Sequence, residues 1–156
     1  MMSDWLWLVL AVGVLLGVAL LIRPLRSWFR TVQGERAHEL FQLQRERLEA
    51  MFLRAAAATG KPRGLRWKQC VFEPEIALAR DRRSQQLLAL VPVTIHFEAV
   101  EGSDMEGLPA VALPRSASAV FYFQGGQWQT AGKAVFNMSP VEALEHFKQH
   151  YEPVVR

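Results

Sequence analysis

An uninterrupted apolar run near the start of the chain limits what the chain can fold into more than any other feature. The eighteen residues from Trp5 to Ile22 include no charged side chain. A helix of that length spans roughly 27 Å, close to the ~30 Å hydrocarbon core of a bilayer. A helix in a soluble domain seldom needs an apolar surface on every side. The run therefore predicts a transmembrane helix over about residues 5–22, and residues 1–23 are expected to form a membrane anchor.

Basic residues follow this run and predict its orientation. The N-terminal side has no Lys or Arg, whereas Arg23, Arg26 and Arg30 lie just after the run. Short basic flanks stay on the cytoplasmic side of a membrane and are attracted to anionic lipid headgroups. We therefore expect a single-pass protein of the plasma or inner membrane, with its N-terminus outside and its C-terminal domain in the cytoplasm. A cleaved signal peptide is the alternative, but the first four residues carry no positive charge and no small-residue cleavage site follows the run.

Two glycines lie one helical turn apart inside the apolar run. Gly13 and Gly17 form a GxxxG pattern, which lets two helix backbones approach each other closely. The pattern predicts a homodimer through the membrane helix. The competing interpretation is that glycine is frequent in membrane helices in general.

The cysteine count indicates which cellular compartment suits the chain, and the charge distribution indicates which partners it can bind. Cys70 is the single cysteine of the 156 residues, so neither an intrachain disulfide nor a cysteine-based zinc site can form. A free thiol is typical of a reducing compartment.

Residues 23–68 contain 11 Lys or Arg and 4 acidic residues, whereas residues 69–156 contain 7 Lys or Arg and 10 acidic residues. Segment 24–34 is therefore expected to be a basic juxtamembrane linker that meets anionic lipid, and no nucleic-acid-binding motif is recognisable.

A helical pattern begins after this linker, with chain breaks expected at Pro24 and Gly34. Apolar residues recur at spacings of three and four from Glu35 to Thr59. They are Ala37, Leu40, Phe41, Leu48, Met51, Phe52 and Ala55. The stripe is wide, which favours a helix packed on a sheet, although a coiled coil is an alternative.

Most of the later chain alternates between apolar and polar residues in the manner of strands. Strands are expected at residues 65–72, 75–80, 86–101, 116–124 and 127–136. Pro92 cannot donate a hydrogen bond to a neighbouring strand, so it is expected at an edge or a bulge. Gly125-Gly126 suits a two-residue hairpin turn that places Phe123 opposite Trp128. Phe121 then shares their face, which is the expected core side.

A second helix is expected near the C-terminus. Ser139, Pro140 and Glu142 provide an N-cap, a proline at the first helical position and a capping box. This helix is expected to run to about Tyr151, because Pro153 would stop it.

The order of these elements predicts an α+β domain over residues 35–156. A long helix would pack on a sheet of four or five antiparallel strands, with the C-terminal helix following. Over about Glu35 to Phe136, this order resembles that of cystatin-like and nuclear-transport-factor-like domains, in element order only and without a shared motif. The resemblance implies a curved sheet with the helix on its concave side. It implies no function, because folds of this type host enzymes, binders and scaffolds alike.

One strand supplies a candidate pair of catalytic groups. His96 and Glu98 project from the same face of the strand, with Asp104 and Glu106 one loop away. In a pocket such groups can act as acid and base. The other interpretation is that they lie on the solvent-facing side of the strand, where polar residues are common.

The C-terminal helix supplies a candidate metal site. Glu142, His146 and His150 are spaced so that two imidazoles and a carboxylate can share one face of a helix, as zinc ligands do. A solvated helix face is the simpler interpretation, because the pattern lacks third and fourth ligands fixed by spacing. No metal and no cofactor are predicted.

The sequence contains no phosphate-binding loop and no nucleophile motif. The first functional hypothesis is therefore a non-enzymatic, membrane-anchored interaction or scaffold module with an unknown protein partner. The second is a small-molecule-binding domain or enzyme with a pocket between the long helix and the concave sheet. An enclosed cavity lined by His96, Glu98 or another carboxylate would favour the second hypothesis. A space filled by Phe97, Phe121, Phe123 and Trp128 would favour the first.

Overall fold

The computed structural model describes residues 2–59 and 63–154, and within this range it leaves the side chains of residues 2–8 and 19–32 undescribed. The chain divides into two compact units, Met1–Arg36 and Ala37–Arg156. The sheet and its core lie in the second unit, which we call the globular unit.

Helix α1 covers Met2–Leu43. It lacks the breaks expected at Pro24 and Gly34, so the apolar run is the first part of a longer helix that continues through the basic segment. The predicted transmembrane helix is wrong, because no helix in the described part of the chain has the length and apolar character needed to cross a membrane. The description as a single-pass membrane protein is corrected accordingly. The predicted orientation and cytoplasmic location stay predictions.

Helix α2, Arg45–Thr59, begins after a break at Gln44, where one continuous helix was expected. Its buried residues are Leu48, Phe52 and Ala56. Ala37 and Phe41, from the last turns of α1, belong to the same hydrophobic cluster. The predicted apolar stripe and its packing on a sheet are therefore confirmed, and the coiled-coil alternative is not.

The Arg45 side chain fastens the start of α2 to the sheet. Its Nε donates to Glu49 Oε1 at 2.8 Å, and its terminal nitrogens donate to the backbone carbonyls of Pro74, at 3.0 Å, and of Glu73. A guanidinium offers five donors in a fixed plane, which suits it to several acceptors at once. Arg45 therefore joins the helix break to the connection between the first two strands.

The sheet has seven antiparallel strands, where four or five were expected. They are β1 Leu65–Phe72, β2 Ala77–Asp81, β3 Leu87–Ala99, β4 Arg115–Gln124, β5 Gln127–Gln129, β6 Ala134–Phe136 and β7 Tyr151–Pro153. The order is β5-β4-β3-β2-β7, with β1 also on β3 and β6 also on β4. The count differs because residues 127–136 split into two strands around Gly132, and because residues 151–153 pair with β2.

β3 is the central strand, although it contains Pro92. β1 pairs with its second half, from Val93 onward, and β2 pairs with its first half, up to Leu90. Pro92 lies at the junction of the two partners, where its carbonyl accepts from the Glu73 backbone at 3.0 Å. The N and O of a strand residue point to the same side, so the missing N–H faces this junction, where the Glu73 carbonyl accepts from Arg45 instead.

The predicted hairpin is confirmed. Phe123 pairs with Trp128 across Gly125-Gly126, and both glycines have positive φ, 59° and 78°. Phe121 is fully buried and Trp128 is 3 % exposed. The indole Nε1 of Trp128 donates to the Ala37 carbonyl at 2.7 Å, so the hairpin and the end of α1 are joined inside the core.

Helix α3, Pro140–His146, lies on the outer face of the sheet. The predicted capping box is present in full between Ser139 and Glu142. The helix is shorter than expected because the chain turns after His146 and enters β7. Ala143 and Leu144 form a second, smaller cluster with Ala79 and Leu90, whose side chains alternate with those of the main core along β2 and β3. A 3-10 helix, Pro109–Ala112, precedes β4.

Candidate functional site

Aromatic side chains fill the space between the helices and the inner face of the sheet. Phe121 contacts Phe41 and Phe52, with ring centroids 5.1 Å and 5.9 Å apart. Phe41 also meets Trp128 at 5.2 Å, and Phe52 meets Phe72 at 5.6 Å. These distances lie within the range of favourable aromatic pairing. Phe97 and Phe123 pack against the same cluster. The position at which a ligand pocket was considered is therefore occupied by core.

His96 and Glu98 lie on the outer face of β3. The Glu98 carboxylate accepts from Arg66 Nε at 2.5 Å in an exposed ion pair. His96 and Glu98 line a shallow cavity of about 370 Å³ with Lys68 and residues near the 3-10 helix. Neither Asp104 nor Glu106 is in this lining. The strand thus brings the two candidate groups together without the acidic residues of the loop.

Glu106 has a structural partner elsewhere. Its carboxylate accepts from the backbone N–H of Gly102 at 2.8 Å. Asp104 is exposed on the same loop. The loop carboxylates are therefore separate from His96 and Glu98.

The candidate metal ligands are divided between two elements. The Glu142 carboxylate accepts from the Ser139 backbone and hydroxyl, both at 2.8 Å, and these two bonds lower its pKa below the usual value. His146 is the last residue of α3, whereas His150 lies beyond the helix and immediately before β7. Within residues 2–59 and 63–154, no group of three or more His, Cys, Asp or Glu side chains is placed to hold a metal ion.

The remaining sequence candidates lie on α1. An added Cβ at Gly13 or Gly17 would meet nothing within 4 Å, so close approach by a second helix at these positions stays a prediction. Arg23, Arg26 and Arg30 belong to the helix, but their side chains lie outside the described residues.

The surface of the globular unit contains an open cleft that sequence patterns did not indicate. It encloses about 850 Å³ and is bordered by five parts of the chain. They are the end of α1 at His38 and Gln42, the β1–β2 connection, residues 92–94 of β3, the start of β4, and the segment from Asn137 into α3. These parts are far apart in sequence, and this explains why no local motif marks the cleft.

The electrostatic character of this cleft differs from that of the chain as a whole. Glu73, Glu75 and Glu142 line it, and none of the described residues in the lining is Lys or Arg. The whole chain has a formal net charge of +3. Hydroxyl and amide groups of Thr94, Ser116 and Asn137 alternate with apolar surface. The cleft can therefore accept hydrogen bonds and positive charge from a bound molecule.

Two local signals point towards the cleft in retrospect. Glu73-Pro74-Glu75 interrupts the alternation between β1 and β2, and Asn137 adopts a positive φ of 57° two residues before the Ser139 cap of α3. A proline flanked by carboxylates and an Asn before a cap both mark exposed connections. Neither signal indicates that the two connections meet. The chain matches no protein-family model, and neither a curated protein nor a solved structure is significantly similar to it.

Proposed function

We propose that the globular unit is a non-catalytic interaction module, and that its cleft binds an extended, basic segment of a partner protein. The observation that carries the proposal is the cleft of about 850 Å³, whose lining, among the residues that the structure describes, includes three carboxylates and no Lys or Arg. Concave sites with a few convergent polar groups are the usual places at which proteins bind ligands. Complementary charge favours both encounter and selection of the partner.

The filled inner face of the sheet supports this proposal over a pocket between the helix and the sheet. Phe41, Phe52 and Phe121 are each no more than 1 % exposed. A ligand there would have to displace close-packed aromatic rings, and removing such a ring from a core typically destabilises a protein by about 3–5 kcal/mol. A ligand in the open cleft would displace none of these rings.

A peptide library tests the proposal. Twelve-residue peptides are selected on the full-length protein, and the affinity of the recovered sequences is measured by fluorescence anisotropy at several salt concentrations. We expect enrichment of Lys and Arg, and weaker binding at high salt because exposed charges are screened.

Charge-matched variants then locate the binding site. Glu73→Gln with Glu75→Gln should weaken peptide binding about tenfold, since two partly exposed ion pairs contribute roughly 0.5–1 kcal/mol each. Glu101→Gln with Asp104→Asn removes the same charge outside the cleft lining and should leave the affinity within twofold. A selection without basic enrichment, or equal losses in both double variants, would refute the proposed site.

A further inference from the structure

A separate apolar cavity lies on the outer face of the sheet, beside the short helix α3. It encloses about 340 Å³. Leu88 and Leu90 of β3 and Val120 of β4 form its floor, and Phe147 and Tyr151 form a wall. The rings of Phe147 and Tyr151 meet edge to face at 6.3 Å. The cavity exists because α3 ends at His146, so the second cluster covers only part of this face.

One charged side chain lines this cavity. Lys133 is in the lining, and its ammonium group has no hydrogen bond or ion pair with any residue that the structure describes. The backbone carbonyl of Lys133 is held by Val120 at 2.9 Å, which fixes where the side chain begins. The Tyr151 hydroxyl adds a second polar group to the lining. An apolar chamber with a single cation is complementary to a molecule with one apolar body and one anionic group.

The volume limits the size of that molecule. A water molecule occupies about 30 Å³ of liquid, so the cavity has room for roughly eleven groups of that size. An unbranched carboxylate of about eight carbons fills this space without excess. We propose that the cavity binds a medium-chain monocarboxylate, with its chain against Leu88, Leu90 and Val120 and its carboxylate at Lys133. This inference is independent of the proposed partner cleft, whose lining shares no residue with the cavity.

Calorimetric titration of the full-length protein with octanoate tests the inference, with 1-octanol as the uncharged probe. We expect saturable binding of octanoate at one site. Lys133→Met keeps an apolar side chain of similar length and should weaken octanoate binding about five- to tenfold, whereas 1-octanol binding should stay within twofold. Lys68→Met removes a charge from β1, outside the cavity lining, and should change neither affinity.

A variant that fills the cavity provides the second readout. Val120→Phe should abolish binding of both probes, and circular dichroism checks that the variant remains folded. Absence of saturable octanoate binding to the natural protein would overturn the inference. Equal losses in Lys133→Met and Lys68→Met would also overturn it, and so would unchanged binding in a folded Val120→Phe protein. The two lysine variants decide the question even if Val120→Phe does not fold.

Discussion

Gly132, between β5 and β6, lies close to the backbone of α2. Its φ is +71°, and a Cβ at this position would lie 2.7 Å from Ala56 Cα. Two separate costs therefore oppose a side chain: the left-handed conformation and the collision with a helix backbone that cannot rotate away. We predict that Gly132→Ala lowers the free energy of unfolding by about 3 kcal/mol or more, measured by urea denaturation.

Gly126 supplies the matched control for this prediction. Its φ is +78°, but a Cβ there meets nothing within 4 Å. Gly126→Ala should therefore show only the conformational cost, about 1–2 kcal/mol. Equal destabilisation by the two substitutions would mean that the approach to Ala56 contributes nothing. Gly132 falls within the single strand expected over residues 127–136, and the collision depends on a helix more than 70 residues earlier, so only the fold reveals it.

The environment of Cys70 leads to a prediction about the reactivity of its thiol at a given pH. Burial against the main core raises the pKa of its thiol to about 11 from 9.0. At pH 8 the thiolate fraction, and with it the rate of alkylation by iodoacetamide, should be about 100-fold lower in the folded than in the unfolded protein.

The sign of the accompanying stability change follows from linkage. Between pH 9 and 11 the unfolded chain releases the Cys70 proton while the folded protein keeps it, so stability falls as pH rises. Because other groups also titrate there, the test is the difference between the natural protein and Cys70→Ala. That difference should decrease by at most about 3 kcal/mol across this range. Parallel stability curves would contradict the assigned burial.

At the scale of elements, α3 depends on its cap. The Ser139 hydroxyl accepts from the Glu142 backbone at 3.3 Å, and the Glu142 carboxylate accepts in return from Ser139. We predict that Ser139→Ala destabilises the protein by about 1 kcal/mol in thermal or urea unfolding. Glu145→Gln, on the same helix, breaks only an exposed contact with Lys148 and should have almost no effect. A similar effect of both substitutions would argue against the cap.

Elements with local signals were predictable, and elements that depend on distant partners were not. Gly125-Gly126 determined both the turn and the register of its hairpin, because a two-residue turn allows few alternatives. Pro92 was expected at an edge but lies in the central strand, since its imino side faces the gap between β1 and β2. The C-terminal helix was expected to run to about Tyr151, yet residues 151–153 pair with β2, which provides backbone partners that a helix end lacks.

For the whole molecule, the core was predictable and the candidate sites were not. The alternation along β3 and the stripe on α2 identify Val91, Val93 and Phe52 as core residues. An element with one buried face has apolar residues at a regular spacing in its sequence. The cleft brings together His38, Glu75 and Asn137 from three separate regions. Contacts of that kind depend on tertiary arrangement, which a single sequence does not display.

The exposed apolar side chains of α1 lead to a prediction about the assembly of the whole chain. They are Val9, Leu10, Val12, Val14, Leu15, Leu16 and Val18, each 47–69 % exposed. A continuous apolar surface of this kind marks a site of association. We predict that the full chain self-associates in analytical ultracentrifugation, and that residues 33–156 do not. The shortened chain should still unfold cooperatively near the same temperature, because the main cluster begins at Ala37.

Substitutions within the segment then test whether Gly13 and Gly17 set the approach of two helices. Leucine at both positions removes the smooth strip that allows close packing, so this double variant should have a smaller dimer fraction than the natural chain. Ala11→Leu adds apolar bulk on the opposite side of the helix from that strip and should preserve the dimer. A dimer fraction unchanged by the glycine variant, or a shortened chain that still associates, would mean that the globular unit, rather than this part of α1, forms the contact.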